Sequence, residues 1–294
     1  MYYGFAHKQR GHSHITNGTP CQDAADWKKY EDYAIAAVSD GHGGEKYFRS
    51  ATGSSLAVSV AIRCLQEFLE KYRVRLKDLG EREKHLSGIE ARIINEWQNE
   101  IEKDFTKNPL LPHEKEICSQ YCMSFDTCQP HFYGSTLLYA CMTPEYSFAS
   151  QIGDGACVFL YLDATPNMPV PEDPRLGFGA TTSLCNSDAL DSFRHSFGDA
   201  AKGLPRAIFL STDGIVDSYR RESFLRINQK IFDEMNENKE NAEKLIEEWL
   251  PALSEKGSRD DVSIAGIYLP AAPFMQFSEL DFTPGDFFTQ QSKR

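Results

Sequence analysis

Nowhere do eighteen consecutive apolar residues occur in the 294-residue sequence, so no segment reads as a membrane-spanning helix. The opening residues, MYYGFAHKQRGHSH, lack the apolar centre of a secretion signal. Positive charge is in deficit. Lys and Arg number 31 against 43 Asp and Glu, a formal charge of −12 with no basic stripe, which argues against nucleic acid as a partner. Cysteine is too thinly spread for a disulfide scaffold, at eight residues, and the expectation is reduced thiols in a cytoplasmic protein. The signatures G-x-S-x-G, H-E-x-x-H and G-x-x-x-x-G-K-[ST] are missing. Their absence removes the esterase reading that the run Gly41-His42-Gly43-Gly44 would otherwise invite. No repeat or low-complexity linker divides the chain, so residues 1–270 are expected to form one domain, followed by an aromatic tail, 271–294.

What is present is a globular composition, 41% hydrophobic and 25% charged, enough for a core without covalent staples. Residues Tyr33 to Ser39 form a short apolar run that stops at Asp40, as a buried strand would. Helical spacing follows from Glu45 to Leu79 and from Glu81 to about Phe105, with Pro109 and Pro112 as the stop. Tyr133 to Met142 and Tyr146 to Ile152 read as a hairpin, and Gly153-Asp154-Gly155 as a second tight turn into a strand from Ala156 to Leu162. The stretch from Asn167 to about Gly203 reads as a long irregular loop. After it come a strand from Arg206 to Thr212, helices from Arg221 to Glu237 and Lys239 to Ser254, and a last strand from Val262 to Leu269.

Aspartates recur at strand ends. Asp40 and Asp213 each follow an apolar strand, Asp260 and Asp261 precede one, and Asp154 sits at the expected hairpin tip. In an antiparallel sheet such positions meet at one edge. Clustered carboxylates repel unless a cation neutralises them, and hard cations such as Mg²⁺ and Mn²⁺ prefer oxygen ligands. A pair of such ions activates water for in-line displacement at phosphorus. Taken singly, each aspartate is as readily a turn cap.

The flanking residues narrow the choice. CQDA (Cys21 to Ala24), SDGHGG (Ser39 to Gly44), GST (Gly134 to Thr136), IGDG (Ile152 to Gly155), STDGIVD (Ser211 to Asp217) and GSRDDVS (Gly257 to Ser263) occur in this order. Together they resemble the type 2C, metal-dependent serine/threonine phosphatases, in a bacterial-like form. The resemblance implies an α+β fold, a central antiparallel β-sandwich flanked by helices on both faces. It implies hydrolysis of phosphoserine and phosphothreonine in phosphoproteins by attack of water held between two Mn²⁺ or Mg²⁺ ions, with a third, weaker ion in many members. Asp40 matches the carboxylate that bridges both ions, with the Gly41 carbonyl at one, and Asp213 and Asp260 match ligands of the other. Asp23 takes the outer-shell position, with Gln22 where a glutamate is common. Asp154 and Asp217 resemble the acids of the third site. His42 matches the histidine that protonates the leaving oxygen, a task suited to an imidazole. Residues 167–203 stand where the family carries its variable flap.

One position departs from the pattern. The arginine that grips the substrate phosphate lies five residues before the acid equivalent to Asp23, and Gly18 stands there. His14, then Arg10 and Lys8, are the nearest basic substitutes. The rival class is a pseudophosphatase, a phosphoprotein-binding module without turnover; the presence of Asp40, Asp213 and Asp260 weighs against it. Cys118 and Cys122 have zinc-ligand spacing and Cys128 does not, so buried thiols are the preferred reading. The expected partners are phosphoproteins of a serine/threonine kinase, met by a monomer.

Overall fold

The apolar run ending at Asp40 is buried at every position because its two faces meet two different layers. Ala34, Ala36 and Val38 pack with Ile208, Leu210, Ala265 and Ile267, whereas Ile35 and Ala37 pack with Ala57, Leu65 and Tyr139. A strand covered on both sides reads as a continuous hydrophobic run. The computed structural model describes residues 1–270 apart from 79, 125–128, 162–165, 177–179 and 200–202. The expected aromatic tail and Cys128 therefore lie outside the described residues.

In chain order the strands are β1 (Tyr3–Gln9), β2 (Ala24–Lys29), β3 (Ala34–Ser39), β4 (Leu137–Met142), β5 (Tyr146–Ile152), β6 (Ala156–Leu160), β7 (Arg194–Asp199), β8 (Ala207–Ser211) and β9 (Val262–Tyr268). The helices are α1 (His12–Asn17), α2 (Ser50–Tyr72), α3 (Arg82–Lys107), α4 (Pro112–Gln120), α5 (Gln129–Phe132), α6 (Ala189–Ser192), α7 (Asp213–Val216), α8 (Arg221–Glu237) and α9 (Lys239–Lys256). The strands form two antiparallel sheets, ordered β1-β9-β8-β6 and β2-β3-β4-β5-β7. Their inner faces bury one cluster between them. The outer face of the five-stranded sheet packs on α2 and α3 through residues such as Tyr139, Phe148, Leu65 and Trp97. That of the four-stranded sheet packs on α8 and α9 through Phe209, Ile264, Phe232 and Leu250. The result is the expected helix–sheet–sheet–helix sandwich. Among the described residues no helix is long and apolar enough to cross a membrane.

Several elements differ from expectation. The helix after Gly44 begins at Ser50, behind a 3₁₀ turn at Glu45–Tyr47, and ends in another at Arg73–Lys77. Pro112 starts α4 instead of ending its predecessor, since proline at a first helical position loses no hydrogen bond. Tyr133 to Thr136 precede β4 instead of belonging to it. The segment 167–203 contains α6 and an edge strand, β7, paired to β5. The turn at Asp154 closes no hairpin: β5 and β6 belong to different sheets, and the chain passes there from one layer of the sandwich to the other. Between β1 and β2 the chain forms α1, which ends at Gly18.

Candidate active site

The site lies along one edge of the sandwich, where both sheets deliver acids. From the five-stranded sheet come Asp40, directly after β3, and Asp23, directly before β2. From the four-stranded sheet come Asp213 and Asp217, after β8, and Asp260, before β9. Asp154 occupies the passage between the layers. The sequence-level picture of one sheet edge is thus replaced by two facing edges.

Carboxylate oxygens of Asp40, Asp154 and Asp213 lie within 4.8 Å of one another. Burial, then the neighbouring Asp213, raises the Asp40 carboxyl well above its ordinary range. Asp213 is pushed up to about 8 by burial and then by Asp154. Asp154 and Asp217 are raised by the same burial, and for Asp217 also by Asp154 and Asp260. Asp23 is buried beneath them and raised to about 7 by burial and then by Asp261. Thr212 Oγ1 donates to Asp23 Oδ2 at 2.8 Å, while Asp23 Oδ1 is buried with no protein partner. Close, desolvated carboxyl groups whose charge is costly without a partner fit divalent cations, which neutralise that charge.

Asp260 is the exposed member. With His14 and Asp261 it forms a second group within 4.8 Å. His14 Nδ1 stands 3.0 Å from Asp261 Oδ1, and His14 Nε2 stands 3.6 Å from Asp260 Oδ1. Asp261 itself accepts from the backbone N–H of Gly11 at 2.6 Å and of Gln22 at 2.5 Å, tying three chain segments together. Arg10 Nη2 donates to the His14 carbonyl at 2.8 Å and Lys8 Nζ to the Asp23 carbonyl at 2.9 Å. Gly18, where the resemblance calls for an arginine, ends α1 with φ +78°, a left-handed cap that suits glycine.

The turn after Asp40 is held on every side. Thr136 Oγ1 accepts from the Asp40 N–H at 3.0 Å, and the Thr136 N–H donates to the Asp40 carbonyl at 2.8 Å. Gly41 is pressed so close that a Cβ there would lie 2.6 Å from the Gln22 carbonyl oxygen and 2.7 Å from that of Ser50. The His42 N–H donates to the Gly134 carbonyl at 3.0 Å, and the His42 ring meets Tyr47 edge-on, centroids 4.7 Å apart. Burial, with the Lys46 charge second, pushes His42 down to about 4. Its Nε2 lies 2.7 Å from Ser183 Oγ, in the 167–203 segment. Ser183 is a site residue that the sequence did not reveal: a serine in a polar loop carries no signal of its own. The same segment reaches the Asp154 corner, where Thr182 Oγ1 accepts from the Gly153 N–H at 2.9 Å.

The sequence matches the protein phosphatase 2C family over residues 10–251. The chain belongs to that family. It is a metal-dependent protein serine/threonine phosphatase that uses Mn²⁺ or Mg²⁺. Solved structures share the fold at low identity. The serine/threonine phosphatase Stp1 from Staphylococcus aureus is 12% identical, with a TM-score of 0.56, covering 92% of this chain and 96% of its own. The PstP catalytic domain in complex with two manganese ions is 16% identical, with a TM-score of 0.54 and coverage of 91% and 97%. The Mycobacterium tuberculosis phosphatase PstP/Ppp is 15% identical, with a TM-score of 0.53 and coverage of 92% and 99%. No curated protein matches the sequence.

Proposed function

We propose that this phosphatase domain acts on phosphoproteins through the following division of labour. Asp40 serves both ions, with the Gly41 carbonyl at one; Asp213 and Asp260 serve the other; Asp154 and Asp217 take a third, weaker ion. Asp23 acts from behind, its partnerless Oδ1 available to a water of the ions. When bound, the cations supply an activated water and neutralise charge on the phosphoryl group. The observation that carries this reading is the half-buried trio Asp40, Asp154 and Asp213, whose carboxylate oxygens lie within 4.8 Å of one another.

His42 is the proton donor to the leaving serine or threonine oxygen. Its Nε2 is engaged by Ser183, so Nδ1 is the nitrogen left for the substrate. Neutral in the free protein, the ring is drawn toward the imidazolium by an arriving dianionic phosphate, which favours the charged form. His14, backed by Arg10, is the grip on the phosphate from the N-terminal side; its 3.6 Å approach to Asp260, a ligand in the same proposal, supports this role. Residues 167–203 act as the flap of a single domain spanning residues 1–270. The setting is a cytoplasmic monomer opposing a serine/threonine kinase.

Hydrolysis of p-nitrophenyl phosphate and of a phosphothreonine peptide, with Mn²⁺, Mg²⁺ or EDTA, tests the whole reading. Full turnover of the peptide in rigorously metal-free buffer would overturn it.

A further inference from the structure

Directly beside the His42 turn lies a cleft of about 480 Å³, with Gly43 and Gly44 on one side and Glu116 of α4 on the other. Its α4 wall is built in advance. Buried Arg49 donates from Nε to Glu114 Oε1 at 2.9 Å and from Nη2 to Glu114 Oε2 at 2.8 Å, a bidentate clasp between the start of α2 and α4. The same guanidinium reaches the Asn108 carbonyl and the Tyr133 hydroxyl, each at 2.8 Å.

Three properties of the cleft point to one class of occupant. Its carboxylates are Glu45 and Glu116, both exposed; His113 also lines it, and Lys46 lies over the ring of Tyr47, but no Lys or Arg stands among its described lining residues. Tyr47, Phe48 and Ile117 add apolar surface of the kind that an alkyl stem covers. Gln22, only 7% exposed, lines the same cleft. Its Nε2 donates to the His42 carbonyl at 3.0 Å, and a carbonyl can only accept, so the amide orientation is settled and Oε1 is left buried without a partner. An orphaned buried acceptor calls for a donor. Two carboxylates and an orphaned amide oxygen, beside an apolar lining, fit a long side chain that ends in N–H groups.

We infer that this cleft receives a lysine or arginine side chain of the phosphoprotein substrate, a few residues from the phosphorylated one. The inference rests on the phosphatase reading and adds to it a preference for basic sequence. The short separation follows from geometry: Gly43 is the residue after His42, and an extended peptide advances only about 3.4 Å per residue.

The test uses the full chain with Mn²⁺ and peptides that carry a non-hydrolysable phosphonate analogue of phosphothreonine. Lysine is scanned against glutamine at positions −3 to +3, and binding is read by fluorescence anisotropy. Lysine at one position is expected to tighten binding roughly two- to fivefold, the size typical of exposed charge pairs. The Glu45→Gln/Glu116→Gln variant is expected to lose that preference and to bind the all-glutamine peptide as before. Equal binding of lysine and glutamine at every position of the unaltered chain, or a preference that survives in the double variant, would overturn the proposal. Hydrolysis of p-nitrophenyl phosphate, run alongside, separates the two ideas. Turnover without a lysine preference removes the cleft assignment alone; a lysine preference without any turnover removes the phosphatase reading.

Discussion

His42 Nε2 and Ser183 Oγ are 2.7 Å apart, and the direction of the hydrogen bond between them follows from a third group. Ser183 has one hydroxyl hydrogen, and among the neighbours of its Oγ the Ser135 carbonyl, at 3.1 Å, can only accept, whereas His42 Nε2 and Cys185 Sγ, the latter at 3.2 Å, can each donate. Ser183 therefore accepts from His42 Nε2–H and holds the ring with Nδ1 outward.

His42→Ala is expected to lower turnover of a phosphothreonine peptide by roughly 10²–10⁴-fold, with a smaller loss on p-nitrophenyl phosphate, whose leaving group needs little protonation. Ser183→Ala should reproduce that substrate dependence in weaker form, and Ser183→Thr should restore it. Equal losses on both substrates would argue against the assignments.

Asp40→Asn takes a charge from the centre of the cluster. Calorimetric titration with Mn²⁺ should show both tight sites weakened, whereas Asp213→Asn and Asp260→Asn weaken mainly one. Unchanged stoichiometry and affinity in Asp40→Asn would refute the shared role. The folded state should survive, because the substitution relieves repulsion among buried acids.

His14→Ala should raise KM for phosphopeptide with a smaller effect on kcat, the mark of a group that binds without joining the chemistry. Steady-state kinetics at saturating Mn²⁺ measure this. An unchanged KM would leave His14 as a brace for Asp261 alone.

Away from the site, His195 on β7 lies between two carboxylates of α3, Nδ1 at 3.2 Å from Glu90 and Nε2 at 2.6 Å from Glu83. The bond to Glu90, more than the one to Glu83, raises the imidazole from 6.5 to about 9 against the opposing effect of burial. A histidine raised on folding stabilises the native state fully below pH 6.5, and that contribution is lost as pH climbs through 9. Urea unfolding at pH 6 and pH 9.5 should therefore show a larger loss in the wild type than in His195→Gln, by about 1–3 kcal/mol. Parallel losses would show the pair to be energetically idle.

Glu114→Gln should destabilise the protein by about 3 kcal/mol, since it leaves the Arg49 charge buried and half-paired. Replacing both partners, as Arg49→Met/Glu114→Leu, should recover part of that loss. Denaturant midpoints for the three proteins check the order.

The legible parts of the fold were those with one dominant signal. β3 stood out because both of its faces are buried, and α8 because Arg221 and Asn238 bracket an amphipathic run. β1 and β7 did not, because YGFAHKQ and RHSFGD are polar edge strands whose pairing is decided by partners far along the chain. The acids of the site were legible through ordered motifs. Which sheet carried each was not, because Gly153-Asp154-Gly155 looks the same whether the chain folds back within a sheet or crosses to another. Ser183 and the cleft beside α4 arise only from tertiary packing.

That crossing at Asp154 has a consequence for assembly. Asp40 hangs from one sheet and Asp213 from the other, so neither layer alone holds a working ion site. Cation affinity is then a gauge of how well the two layers are docked. A cavity opened between them, at Val38 or Leu210 for instance, should loosen the ions before it unfolds either sheet.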